Sequence, residues 1–129
     1  NPLLDQVKIA LVPLSSLSPA ARACFGKKDF HAGKSETSRM LYWHPELVGD
    51  ERVTDSEEVM AMLRQDQDAY QTVERPVDHP MVMPRIRQNE AMKIGVMGDP
   101  SKASAQLGET IAKEIVAGMV ELINLMENA

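Results

Sequence analysis

Apolar residues change their spacing several times along the chain, and each change marks an element. Val7, Ile9, Ala10, Leu11 and Val12 are nearly continuous within Val7 to Leu14, the pattern of a strand covered on both faces. Ser15, Ser16, Ser18 and Pro19 break it, and a short helical stretch is predicted around Ala20 to Cys24. Gly26 to Gly33, with two glycines and two lysines, reads as loop. From Ser35 the spacing becomes helical, with Thr37, Met40, Leu41 and His44 at i, i+3, i+4 and i+7, and Pro45 ends the helix at His44. Pro45 to Val53 is connecting chain. Thr54 with Glu57 then predicts an N-cap and capping box, followed by a helix over Val59 to about Asp68 with Val59, Met62 and Leu63 on one face.

Residues 71 to 92 have little periodicity and carry Pro76, Pro80 and Pro84. They are expected to form a long loop that crosses the surface or lies against a neighbouring subunit. Ile94 to Met97 predicts a short strand, with Gly95 allowing close packing. Asp99-Pro100-Ser101 carries helix-start signals. Leu107, Ile111, Ile115, Met119, Leu122 and Met126 then recur at helical spacing, an amphipathic helix of about five turns. Met40, Met62, Met119 and Met126 are expected on helix core faces. The order of elements predicts an α/β fold. Two short strands form no stable sheet alone, so residues 1–129 read as one incomplete domain whose first strand needs neighbours from elsewhere.

Composition narrows the function more than it names it. The 129 residues are 43% hydrophobic and 26% charged, ordinary for a globular domain. No apolar run reaches the roughly 18 residues of a membrane-spanning helix. With 14 Lys and Arg against 19 Asp and Glu, and only Lys27 and Lys28 adjacent, nucleic-acid binding is not expected. The single cysteine, Cys24, fits a reducing, cytoplasmic compartment. It is expected to be an apolar filler beside Phe25 rather than a nucleophile. The first residue is Asn1 rather than Met, which leads to the expectation of a processed or excised piece.

Chemistry concentrates between Asp29 and Ser38. His31 lies on a glycine-containing loop and Glu36 in the first turn of the helix that follows, so imidazole and carboxylate can converge on one point. A neutral histidine binds metal or moves a proton near pH 7. A carboxylate near the free N–H groups of a helix start is favoured in its ionised form. The plain alternative is a helix-capping loop with a surface histidine.

His31-Ala32-Gly33-Lys34-Ser35-Glu36-Thr37-Ser38-Arg39-Met40-Leu41, followed by Pro45-Glu46-Leu47-Val48, resembles the creatininase (creatinine amidohydrolase) family. Gly95-Val96-Met97-Gly98-Asp99-Pro100-Ser101-Lys102-Ala103-Ser104 is similar to that family's closing motif before its last helix. The resemblance implies the C-terminal part of a three-layer α/β/α fold, completed by an N-terminal chain or segment. That half would supply a Glu-x-His pair, an Asp and an Asn-Gly-His segment that hold most of a two-metal centre of Zn, Mn or Fe; neither tripeptide occurs here. It implies His31 as the proton-handling residue and Glu36 as a carboxylate at the metal. Asp29 is placed to orient the His31 ring, and Lys34 and Ser35 to contact substrate.

The reaction implied is metal-dependent hydrolysis of a cyclic or linear amide or related carbonyl compound, with metal-activated water as nucleophile. Creatinine is not the expected substrate: the two tryptophans that clamp its ring are replaced by Ser15 or Ser16 and by Lys27, and Trp43 is expected to pack. The family implies a homo-oligomer, often a hexamer. His44 and His79 match no family ligand and are expected to be structural or exposed. The rival reading is a non-catalytic structural or regulatory subunit that retains half of the fold. Retention of His31, Glu36 and Thr37-Ser38 argues against it.

Overall fold

A 23-residue helix gives the chain its axis. The computed structural model describes residues 7–26 and 28–128, with helices α1 (Pro19–Phe25), α2 (Lys34–Trp43), α3 (Glu57–Gln65) and α4 (Ala105–Glu127). Strands β1 (Gln71–Glu74) and β2 (Arg85–Gln88) pair antiparallel. Helix α4 spans roughly 35 Å. Its predicted stripe faces inward: Ile111 is fully buried, and Leu107, Ile115, Met119, Leu122 and Met126 are half-buried. Val116, Val120, Ile123 and Leu125 nevertheless remain exposed, so a second side of the helix is apolar as well.

The start of α4 falls later than expected. Asp99 does act as a cap, but of a single 3₁₀ turn at Pro100–Lys102, after which Ala103 is extended. Ser104 then caps α4, its hydroxyl accepting from the Leu107 amide at 3.2 Å. Helix α2 crosses α4 at close range because Gly108 has no side chain. A Cβ there would meet the Ser38 carbonyl carbon at 2.5 Å and the Tyr42 Cβ at 2.9 Å. The buried Ser38 hydroxyl accepts from the Ser104 amide at 3.0 Å and fixes the crossing.

Helix α1 forms where predicted. Ser18 caps it, accepting from the Ala21 amide at 3.0 Å while donating to Glu114 of α4 at 2.5 Å. Cys24 is buried, as its filler role requires. A second apolar cluster joins Val59, Met60 and Leu63 of α3 to Met92, with Met62, Ala69 and Met97 around it.

Several expectations are corrected. Helix α3 is capped by Ser56, not Thr54. The residue between them, Asp55, is buried and drawn away to accept the amides of Lys93 (2.7 Å), Ile94 (3.0 Å) and Gly95 (2.9 Å). Helix α3 stops at Gln65, and one 3₁₀ turn, Gln67–Tyr70, leads into β1. The expected loop at 71–92 thus contains a hairpin, paired from Gln71↔Gln88 to Glu74↔Arg85. Ile94 to Met97 makes a single bridge, His31↔Met97, instead of a strand. Met40 and Trp43 are exposed rather than packed, Trp43 resting at a tilt against Tyr42 with ring centroids 6.3 Å apart.

The strand expected at Val7 to Leu14 does not form. Val7 to Val12 forms no strand ladder with any described residue, its tie to α4 being the Lys8 ammonium on the Met126 carbonyl at 2.6 Å; Leu14–Leu17 is a 3₁₀ turn, and Ile9 and Leu11 are 87% and 97% exposed. Lys27, assigned above to a missing tryptophan position, lies outside the described residues. Helices with a small sheet agree with a mixed α/β class, and the described residues by themselves form no three-layer stack. The accessible surface is 9457 Å², against about 6,800 Å² for a folded monomer of this size.

Candidate functional site

The loop from Asp29 to Gly33 is held mainly by its main chain. Phe30 and His31 donate their amides to the Met97 carbonyl at 2.7 and 3.2 Å, and the Met97 amide returns a bond to the His31 carbonyl at 2.8 Å. Ala32 takes a left-handed conformation (φ 49°). That bend aims its amide at Glu36 Oε2, 2.5 Å away, while the Thr37 hydroxyl donates to its carbonyl at 3.2 Å. The turn brings His31 Nδ1 to 3.6 Å from Glu36 Oε2, with Arg39 3.9 Å from the other carboxylate oxygen. Imidazole and carboxylate therefore converge as the spacing predicted. Their side chains are 67% and 46% exposed, open to a ligand.

Asp29 sits elsewhere than expected. Its buried carboxylate accepts the Lys34 amide at 2.6 Å, the Ser35 amide at 2.8 Å and the Asp99 amide at 3.3 Å. These described bonds all go to main chain, none to the His31 ring. The unpaired N–H groups that open a helix attract a carboxylate, and here they draw Asp29 under α2. Gly33 and Gly98 close over it: a Cβ on either would lie 2.8 Å from the other's Cα and would overlap the carboxylate. The two sequence motifs thus meet at Asp29. The Ser101 hydroxyl, opposed by burial and assisted by Lys102 at 3.1 Å, holds the Asp99 carboxyl below its ordinary range.

Several cavities open near this clasp, two of them large. One, of about 750 Å³, is lined by Asp29, Lys34, Arg64, Asp99 and Lys102 among others. The second, of about 470 Å³, is lined by His31 together with Tyr70, Gln71, Ile86, Arg87, Gln88, Met92, Gly95 and Met97. Lys34 and Ser35, expected to contact substrate, do not line the cavity of His31, and Ser35 is only 3% exposed. The hairpin residues there were missed because nothing in their spacing marks them as strands.

Among the described residues no group of three or more His, Cys, Asp or Glu side chains is gathered closely enough to hold a metal ion. His31 and Glu36 are two donors, whereas a catalytic metal takes about three from protein. By themselves they do not make a metal site; Glu36, with its exposed carboxylate, could contribute one donor to it. His44 pairs with Glu46 at 3.1 Å and His79 accepts the Met81 amide at 3.1 Å, both exposed and apart from His31's cavity, as expected. No helix among the described residues is long and apolar enough to cross a membrane.

A family model named Creatininase and described as creatinine amidohydrolase matches residues 6–123. No curated protein and no solved structure matches the chain.

Proposed function

The chain belongs to the creatininase family, a family of hydrolases whose members typically bind divalent metals, and from that premise we propose that it forms one part of a metal-dependent amide hydrolase. The observation that carries the reading is the His31–Glu36 pair, 3.6 Å apart across the junction between a loop fixed to the Met97 main chain and the first turn of α2. Glu36 sits against His31 Nδ1 and favours the ring proton there, which leaves Nε2 free to take a proton from the attacking water and pass it to the leaving group. Glu36 is the residue of this chain that would reach a metal. A divalent ion bound there supplies Lewis-acid polarisation of a carbonyl and an activated water.

An N-terminal chain or segment of the same enzyme supplies the remaining metal donors and completes the three-layer fold. The bare, apolar Ile9 and Leu11 support this, as does an accessible surface about 2,700 Å² above the size expectation. The completed unit is a homo-oligomer, a hexamer in this reading, holding two ions of Zn, Mn or Fe per site. The substrate is a cyclic or linear amide or related carbonyl compound other than creatinine.

The test is His31→Ala in the completed assembly. Turnover is expected to fall about 10²–10⁴-fold, the usual contribution of a positioned proton donor. Unchanged turnover would sink the catalytic reading and leave a structural or regulatory subunit.

A further inference from the structure

The cavity beside His31 has a built character that the proposed reaction does not yet use. Its volume of about 470 Å³ lies in the range of small-molecule sites. Met92, 6% exposed, and Met97 bring the apolar cluster of α3 up to its wall. Ile86 stands on β2 two residues from Gln88 and so shares its face. Gln71 and Gln88 are direct partners across the hairpin, which sets two carboxamides side by side on the cavity's rim. Gln88 donates through Nε2 to the Met92 carbonyl at 3.3 Å, which orients that carboxamide and leaves its oxygen as an acceptor.

Charge is balanced on this wall. Arg87, the one cation among the described residues that line it, lies 3.7 Å from Glu74. Lys34, the residue that would favour an anionic substrate, lines the other cavity.

We propose that this cavity is the substrate pocket and that it takes an uncharged amide with an apolar body. The body rests on Met92, Met97 and Ile86, the amide N–H faces the glutamine pair, and the carbonyl end reaches His31. The assignment rests on the hydrolase reading above. It moves substrate selection from Lys34 and Ser35 to the hairpin.

The test is NMR of the 129-residue chain carrying ¹³C-methyl methionine and ring-¹⁵N histidine, titrated with acetanilide (neutral, apolar body), acetamide (neutral, no apolar body) and benzoate (apolar, anionic). Acetanilide is expected to shift the Met92 and Met97 methyls and the His31 ring together, with acetamide and benzoate far weaker. Ile86→Glu is expected to weaken acetanilide at least about tenfold. Gln71→Ala, at the half-buried rim, is expected to weaken it while leaving the fold of the ligand-free chain in place. Shifts centred on another apolar face, equal binding of benzoate, or no shift at millimolar acetanilide would each overturn the assignment. Binding here needs no turnover. A pocket confirmed beside an unaffected His31→Ala assembly would fell the hydrolase reading alone. Lost turnover with acetanilide bound elsewhere would fell only the pocket.

Discussion

Gly33 and Gly98 approach so closely that neither tolerates a methyl group, because the other's Cα and the Asp29 carboxylate already occupy the space. Gly98→Ala is therefore expected to cost about 1–3 kcal/mol, read as a lower urea midpoint with an unchanged slope. The same contact separates the roles of two acidic residues. Asp29 serves three amides, whereas Glu36 touches the imidazole. Glu36→Ala is expected to change the tautomer balance of the His31 ring, seen in its ¹⁵N shifts. Asp29→Asn should leave that balance in place while lowering stability. A tautomer change in Asp29→Asn would restore its expected role as the residue that orients the ring.

Between elements, the equivalent device is Asp55, which collects three consecutive amides ahead of Met97. Burial pushes its carboxyl up, but the amides of Gly95, Lys93 and Ile94 and the charge of Lys93 outweigh it and hold the group below its ordinary value of 3.8. A carboxyl depressed in the folded state stabilises above its unfolded pKa, and that contribution is lost as pH falls through the folded value. The loss belongs below pH 3.8. Asp55→Asn is expected to flatten the acid limb of the stability profile there, and Asp55→Ala to cost about 1–3 kcal/mol at neutral pH from three amides left without their acceptor.

Asp55 also shows what the sequence could and could not display. The convergence of His31 and Glu36 was legible because five residues and one turn enclose it, and α4 was legible because its apolar stripe repeats over 23 residues. The bonds from Asp55 to Lys93 and from Asp29 to Asp99 join residues 38 and 70 positions apart, which no local spacing encodes. The same long-range pull misplaced a cap: Thr54-x-x-Glu57 looks like a capping box, yet Asp55 is drawn toward residues 93–95 and the helix opens at Ser56. The hairpin escaped notice because its four-residue strands are mostly exposed and lack the alternation that a buried face imposes.

At the scale of the whole molecule, the apolar side chains of Ile9, Leu11, Val116 and Val120 lie open on a surface larger than a self-contained domain would keep. Alone, the chain is expected to bind a hydrophobic dye and to self-associate in sedimentation; the proposed N-terminal half should suppress both. The Ile9→Asp/Leu11→Asp double variant should fail to recruit that half. Native mass spectrometry with metal analysis checks the rest: about two ions per pair of chains are expected, and little metal on this chain by itself, since His31 and Glu36 are too few to hold one.

The hydrogen bonds that tie down the segment before α4 all use its peptide atoms. Asp55 holds the amides of residues 93, 94 and 95, His31 and Phe30 bond the main chain of Met97, and Asp29 holds the amide of residue 99. None of these ties reads a side chain on the segment itself. Lys93 and Ile94, both exposed, can therefore be varied without losing these bonds, at the cost of the Lys93 charge beside Asp55. A proline at 93 or 94, which deletes one amide, cannot be accommodated in the same way. Evolution, or a directed library, can thus vary the chemistry bordering the site one residue at a time while the frame around His31 stays put.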